Sequence, residues 1–215
     1  MLKDNDTPAG EPFSVQPGAV AKRAYKNAAL ALLCATGEER FLADALDRFN
    51  AADNMTDTTA AIAAVLDKDC PQRDEMLEKF YEKWQGEELV VLKWLTMHAM
   101  SGVPGNLTKV KELTSHPAFK ITNPNCCYSL LLGMSRSAVN FHAADGSGYE
   151  FIADMVLKVD SVNHQVAARI ASAFTACQQL DQMRQAVIQK QLKRILAHEG
   201  LSENVQEILA KTVTA

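Results

Sequence analysis

Apolar residues recur three and four positions apart through almost the whole chain. Nowhere do they alternate long enough to predict a strand. The run Glu88-Leu89-Val90-Val91-Leu92 taken alone could be extended. Val91, Trp94, Leu95 and His98 continue it at helical spacing, so the pattern predicts a helix there. In the segment after Asn163, Val166, Ile170, Phe174 and Cys177 form one apolar face. Residues 1–17, with Pro8, Gly10, Glu11 and Pro12, carry no helical period and read as a loose leader or the cut end of something longer. Residues 18–215 read as one helical domain.

Helix starts are marked by residues that can satisfy free backbone N–H groups. Thr36 with Glu39 predicts a capping box, and Thr56 followed by Asp57 predicts a cap and a negative charge at the positive end of the helix dipole. Asn123-Pro124 predicts a cap followed by a proline at the first helical position, where no N–H is missed. Ser147, Asn163, Asp181 and Ser202 are further candidate caps, and Gly200 a candidate stop. The result is about ten to twelve helices of roughly 10–18 residues, joined by connections of about 2–6. Short joints make successive helices antiparallel neighbours. Many such pairs in series predict an all-α superhelix, a HEAT/ARM-like solenoid, more readily than one closed bundle. No sequence repeat of fixed period supports tetratricopeptide, ankyrin or consensus HEAT signatures.

Composition narrows the partners. The 215 residues are 47% hydrophobic and 22% charged, a globular balance. With 22 Lys+Arg against 26 Asp+Glu the formal net charge is −4, which argues against a nucleic-acid partner. The basic run Arg184, Lys190, Lys193 and Arg194 is diluted by glutamines and reads as a solvated helix face. No apolar run approaches the ~20 residues of a membrane-spanning helix, and the first residues lack the apolar stretch of a secretory signal. Cys34, Cys70, Cys126, Cys127 and Cys177 are odd in number and form no CxxC pair. They read as reduced, small apolar residues of a cytoplasmic protein.

Candidate chemistry is sparse. His98, His116, His142, His164 and His198 include no pair at metal-binding spacing, and His198-Glu199 lacks the second histidine of HExxH. Asp145-Gly146-Ser147-Gly148-Tyr149 lacks the phosphate-loop pattern and reads as a turn, with Ser147 capping the next helix. A cysteine nucleophile needs a positioned base that sequence does not place, so no catalytic residue and no metal ligand is assigned. One polar stripe remains. Gln165 and Arg169 lie four apart, off the apolar face, with Ser172 one turn on. An amide and a planar guanidinium so placed could line a polar pocket; an ordinary solvated face has the same pattern.

Six strings, in order, carry a resemblance. They are Ala21-Lys22-Arg23-Ala24-Tyr25-Lys26-Asn27-Ala28-Ala29-Leu30; Ala52-Asp53-Asn54-Met55-Thr56-Asp57; Arg73-Asp74 with Trp84 and Lys93-Trp94; and Ser115-His116-Pro117-Ala118-Phe119 leading to Thr122-Asn123-Pro124-Asn125. Asn140-Phe141-His142 through Asp145-Gly146-Ser147-Gly148-Tyr149, and Asn163 through Gln165-Val166-Ala167-Ala168-Arg169, complete the set. From about residue 20 onward the chain resembles the C-terminal helical region of the M1 family of zinc aminopeptidases, the bacterial aminopeptidase N (alanyl aminopeptidase) group.

The resemblance implies a non-catalytic domain. In that family zinc is held in a separate catalytic domain with an HExxH helix and a GAMEN loop, neither of which occurs here. The helical domain would close the active-site chamber and line the peptide path. Its partners would be the catalytic domain of the same parent chain and the peptide substrate, with no nucleic acid and no membrane. Gln165 would lie near the pocket for the first side chain of the substrate, and Arg169 would face the same cavity. Two departures stand out. Tyr128 occupies a position where relatives carry a cavity arginine, and His164 stands where they tend to have proline. The resemblance also implies exposed apolar surface near Val20 and Tyr25, to be covered by other helices of the full protein. The alternatives are an independent helical-repeat scaffold for a protein partner, and a stand-alone enzyme using a Cys or His.

Overall fold

The computed structural model of the chain describes residues 13–214, and every regular element among them is helical. Residues 1–12, which hold most of the expected leader, lie outside the described residues. The chain divides into two units, Met1–Lys83 and Trp84–Ala215.

The first unit contains α1 (Pro17–Ala35), α2 (Glu39–Ala51), α3 (Met55–Val65) and α4 (Pro71–Trp84), whose last residue opens the second unit. Both α1 and α2 pack on α3. Leu30, Cys34, Leu42, Ile62, Val65, Met76, Leu77 and Phe80 are buried there. Pro17 stands in the first turn of α1, where a missing N–H costs nothing. The Thr36–Glu39 capping box does not form. Gly37 adopts φ +76° and its N–H bonds the Cys34 carbonyl at 3.0 Å, which closes α1. Thr36 serves that helix end instead, donating its hydroxyl to the Leu33 carbonyl at 2.7 Å. The cap of α3 is Asn54, not Thr56: the Asn54 side chain accepts from the Asp57 N–H at 3.0 Å.

Asp57 ties α3 to α1. Its carboxylate receives Lys26 Nζ at 2.9 Å, Asn27 Nδ2 at 2.8 Å and Asn54 Nδ2 at 3.1 Å. Burial alone would raise its pKa. The hydrogen bonds from Asn27, Lys26 and Asn54, with the Lys26 charge, outweigh burial and hold it below the ordinary carboxylate value. The opposite side of α1 is uncovered. Tyr25, with Ala21, Ala28 and Leu32, is exposed at spacings of three and four, and Val20 is exposed beside them. Leu32 leaves 74% of its surface open, far beyond what a covered stripe would show.

The second unit begins with α5 (Glu88–Met100), where Val91, Trp94, Leu95 and His98 are buried as the pattern predicts. Asn106 donates to the His98 carbonyl at 2.7 Å near the end of that helix, and α6 (Leu107–Leu113) follows. Asn123 caps α7 (Pro124–Cys127) through the Asn125 N–H at 2.9 Å. That helix runs through a π turn, Tyr128–Leu132, into α8 (Gly133–Ser135). Then come α9 (Ala138–Phe141), α10 (Ser147–Asp160), α11 (His164–Ala171), two short 3-10 turns, α12 (Gln182–Leu196) and α13 (Glu203–Thr214). Counting α7 and α8 as one helix, the described residues form twelve, within the expected range.

Packing in this unit follows a ladder: α10 lies on α11 and α12, and α11 and α12 lie on α13. Covering a helix by the one two places along is the arrangement of stacked helix pairs. Close approach needs glycine at Gly148. A methyl group there would meet the Asn140 carbonyl, and the Phe141 carbonyl at 2.6 Å. Ser147 does not cap α10. Gly146 holds the cap position at φ +76°, and Asp145 accepts from the Ser147 N–H at 3.0 Å.

Two outcomes are expected. Gly148→Ala should destabilise the chain by about 2–4 kcal/mol in urea unfolding, because backbone atoms rather than a flexible side chain block the methyl. Asp57→Asn should cost about 1–3 kcal/mol at neutral pH. Since the folded pKa of Asp57 is lowered, its contribution is full above the unfolded value of about 3.9 and is lost as pH falls through the folded value. The gap between wild type and Asp57→Asn, followed by acid-dependent unfolding, should therefore narrow below about pH 4. A gap independent of pH would contradict the assignment.

Candidate functional site

Asn163 stops the preceding turn and starts α11: its side chain accepts from the Val166 N–H at 3.1 Å. The helix has 8 residues, and Val166, Ala167, Ile170 and Ala171 are its buried side. It packs on α10 and α13, and also meets the π turn that Tyr128 opens. The structure places Gln165 and Arg169 one turn apart on the side left over, both exposed. Neither side chain is engaged by another described residue, so the Gln165 amide and the Arg169 guanidinium are free to meet a ligand. Tyr128 is half-buried.

The apolar face from Val166 to Cys177 is buried throughout, but it does not lie on one helix. After Ala171 the chain tightens into the 3-10 turns Ser172–Phe174 and Cys177–Gln179. The cause is local: Ser172 donates its hydroxyl to the Arg169 carbonyl at 2.6 Å, and Thr175 to the Ser172 carbonyl at 2.8 Å. Two hydroxyls competing for backbone carbonyls in succession disfavour regular α-helix.

A second polar group was not apparent from sequence. Tyr149 is fully buried and its hydroxyl lies 2.7 Å from His142 Nδ1. Burial, with the nearby Arg184 charge, lowers the His142 pKa, and burial raises that of Tyr149. Both are therefore neutral at pH 7. Arg184 holds the His142 carbonyl at 3.0 Å and is itself paired with Asp181 at 2.6 Å. Phe141 packs edge-on against Tyr149 and lies 6.0 Å from Phe174, so this cluster braces the chain just after α11. The one sequence signal was the Asn-Phe-His string seven residues before Tyr149, which reveals proximity only once the turn is known.

The thiols are enclosed. All five cysteines are free and buried. Burial first, then neighbouring charges, pushes Cys34 and Cys127 up to about 11. Three thiols turn onto backbone carbonyls: Cys34 to Phe41 at 3.3 Å, Cys126 to Ala118 at 3.7 Å and Cys127 to Ile121 at 3.3 Å. A protonated thiol facing a carbonyl has no base to activate it. Among the described residues no three His, Cys, Asp or Glu side chains gather so as to hold a metal ion. The donors gathered among the described residues therefore do not make a zinc site. No helix of the described residues is long and apolar enough to cross a membrane.

Known proteins match this chain in sequence and in fold. A family model described as a domain of unknown function (DUF3458_C) with ARM repeats matches residues 2–214. Aminopeptidase N of Caulobacter vibrioides is 35% identical over 202 residues, and aminopeptidase N of Escherichia coli K12 is 35% identical over 204. Each match covers 94% of this chain and 23% of the relative, so the chain spans about a quarter of the length of these proteins. The crystal structure of Legionella pneumophila aminopeptidase A in complex with aspartic acid superposes with a TM-score of 0.88 at 26% identity, over 99% of this chain and 26% of that one. The six ordered strings, the helix ladder and these matches agree: the chain belongs to the DUF3458_C family of ARM-repeat domains and is homologous to part of aminopeptidase N.

Proposed function

We propose that this chain is the non-catalytic helical domain of a cytoplasmic M1-family zinc aminopeptidase, an enzyme that removes N-terminal residues from peptides. The observation that carries the reading is the 35% identity to aminopeptidase N along 94% of the chain, with Gln165 and Arg169 exposed on the same edge of α11. In this reading the chain closes the active-site chamber and lines the peptide path. Gln165 offers a donor and an acceptor in the pocket for the first side chain, and Arg169 presents its planar fork to the same cavity. Zinc belongs to the catalytic region of the same parent chain, and no step of the chemistry runs through residues of this one. The five buried thiols suit a reducing, cytoplasmic setting.

The uncovered face of α1 is assigned to the rest of that parent. A helix of a repeat array shows solvent a polar side unless another helix covers it. On α13, Glu203, Gln206, Glu207 and Lys211 supply one, whereas α1 shows Ala21, Tyr25, Ala28 and Leu32. Amides of residues 18–34 should exchange faster with deuterium than those of α10 in the isolated chain, and slow when the upstream region is added. Equal protection of the two segments in the isolated chain would contradict this assignment.

The functional test is hydrolysis of alanyl and arginyl chromogenic amides in the presence of zinc. The chain alone should be silent, and a mixture with an upstream fragment carrying HExxH should be active. In the active mixture, Gln165→Ala and Arg169→Ala should each lower kcat/KM about tenfold, as expected for loss of one polar contact to substrate. Activity of the purified chain alone, or full activity of both variants, would overturn the reading.

A further inference from the structure

A buried carboxylate is costly unless donors satisfy it. Among the described residues Asp160 is the one buried Asp or Glu. It sits at the last position of α10, three residues before the Asn163 cap. Its Oδ2 accepts from the Ser202 N–H at 2.8 Å and its Oδ1 from the Ser202 hydroxyl at 2.5 Å. Oδ1 also lies 3.2 Å from His164 Nδ1. A carboxylate oxygen accepts here when the proton of His164 stands on Nδ1.

These partners belong to different helices. Ser202 leads into α13, and its oxygen accepts from the Val205 N–H at 3.4 Å in the first turn. His164 is the first residue of α11 and precedes Gln165. The end of α10, the start of α11 and the start of α13 therefore meet at one carboxylate. Because α11 packs on both α10 and α13, the carboxylate pins its two neighbours together at the end from which Gln165 projects. Burial of Val166 and Ala167 holds the inner side of this turn, while on the outer side His164 and Gln165 are exposed and the Asn163 cap bonds the helix to its own first turn, so the Asp160 carboxylate is the polar tie between helices there.

We propose that Asp160 is a positioning residue for the substrate-facing edge of α11, fixing the first turn so that Gln165 meets the substrate in one orientation. The proposal rests on the reading of Gln165 and Arg169 as pocket residues. Asp160 does not itself touch substrate. Its effect passes through Gln165, and a small displacement of a binding group is enough to weaken substrate contact severalfold.

The test uses the complete enzyme, with this chain joined to its zinc-bearing region, and a chromogenic aminoacyl amide as substrate. Asp160→Asn keeps the shape, loses the charge and turns an NH2 group toward one donor. It should raise KM about fivefold to tenfold with kcat within about twofold, and that split separates positioning from a general loss of active protein. Ser202→Ala removes the hydroxyl while leaving the carboxylate and the Asn163 cap in place. It should shift KM in the same direction, and Ser202→Thr should restore it; this pair keeps the test available if Asp160→Asn fails to fold. In a Gln165→Ala background, Asp160→Asn should add nothing further. Silence of Asp160→Asn and Ser202→Ala while Gln165→Ala is impaired would overturn the proposal alone. So would effects that multiply independently with Gln165→Ala. Full activity of Gln165→Ala and Arg169→Ala would overturn the pocket reading and this proposal together.

Discussion

An amphipathic helix of one to four turns cannot hide its own apolar stripe, and most of its stability comes from whatever covers it. In the second unit the cover comes from an adjacent helix together with the one two places along: α11 and α12 for α10, and α10 and α13 for α11. The first unit does the same with α3 against α1. This requirement settles which positions remain available for anything else. Between α10 and α13, α11 surrenders Val166, Ala167, Ile170 and Ala171 to burial. What is left is a narrow strip, and Gln165 and Arg169 occupy it. The same requirement makes the bare side of α1 informative, since Tyr25 and Leu32 have the composition of a covered stripe without the cover.

Close stacking creates a second demand, because loops and helix ends carry backbone groups that burial would orphan. The chain answers with a few polar side chains that each serve several groups. Asn140 Nδ2 reaches the Ser101 carbonyl at 2.9 Å and the Val103 carbonyl at 3.0 Å, while Ser137 donates to the same Ser101 carbonyl at 2.9 Å. Arg73 reaches the Leu66 carbonyl at 3.1 Å, placing a cation at the negative end of α3. Asp57 and Asp160 are the acidic counterparts, each drawing donors from a second helix. Small residues allow the approach that makes such ties possible: a methyl at Gly133 would meet the Ala99 side chain at 2.8 Å.

Helix identity was legible in the sequence wherever the period ran through large residues, as at Val91, Trp94, Leu95 and His98. Caps were legible when the side chain acts on the turn immediately after it, as Asn123, Asn163 and Asp181 do. Reading failed where two neighbouring residues competed. Gly37 displaced Thr36 by taking the left-handed conformation, and Asn54 took the cap because it stands three residues before Asp57, whose N–H it accepts, while Thr56 already lies within α3. Long-range ties were invisible. Asp160 and Ser202 are 42 positions apart, and nothing in either string announces the other. The polar stripe of Gln165 and Arg169 was visible as a pattern, but pattern alone does not separate it from a solvated face; its reading as a pocket edge belongs to the proposed function.

A binding pocket is concave and takes its walls from several elements. Two side chains one turn apart on an exposed helix edge supply one wall. Gln165 and Arg169 have no side-chain partner among the described residues, the five thiols are buried, and the His142–Tyr149 pair is neutral. On the proposed reading these polar contacts would orient a peptide, and the chemistry of cleavage would belong to the catalytic region of the parent. A chain spanning 23% of aminopeptidase N and holding one wall fits a division of labour in which bond cleavage lies elsewhere in the parent. Under that division the demands on this domain are mechanical. The edge of α11 must stay in register with walls it does not contain, and the ladder of helices, fastened at Asp160, gives it the rigidity to do so.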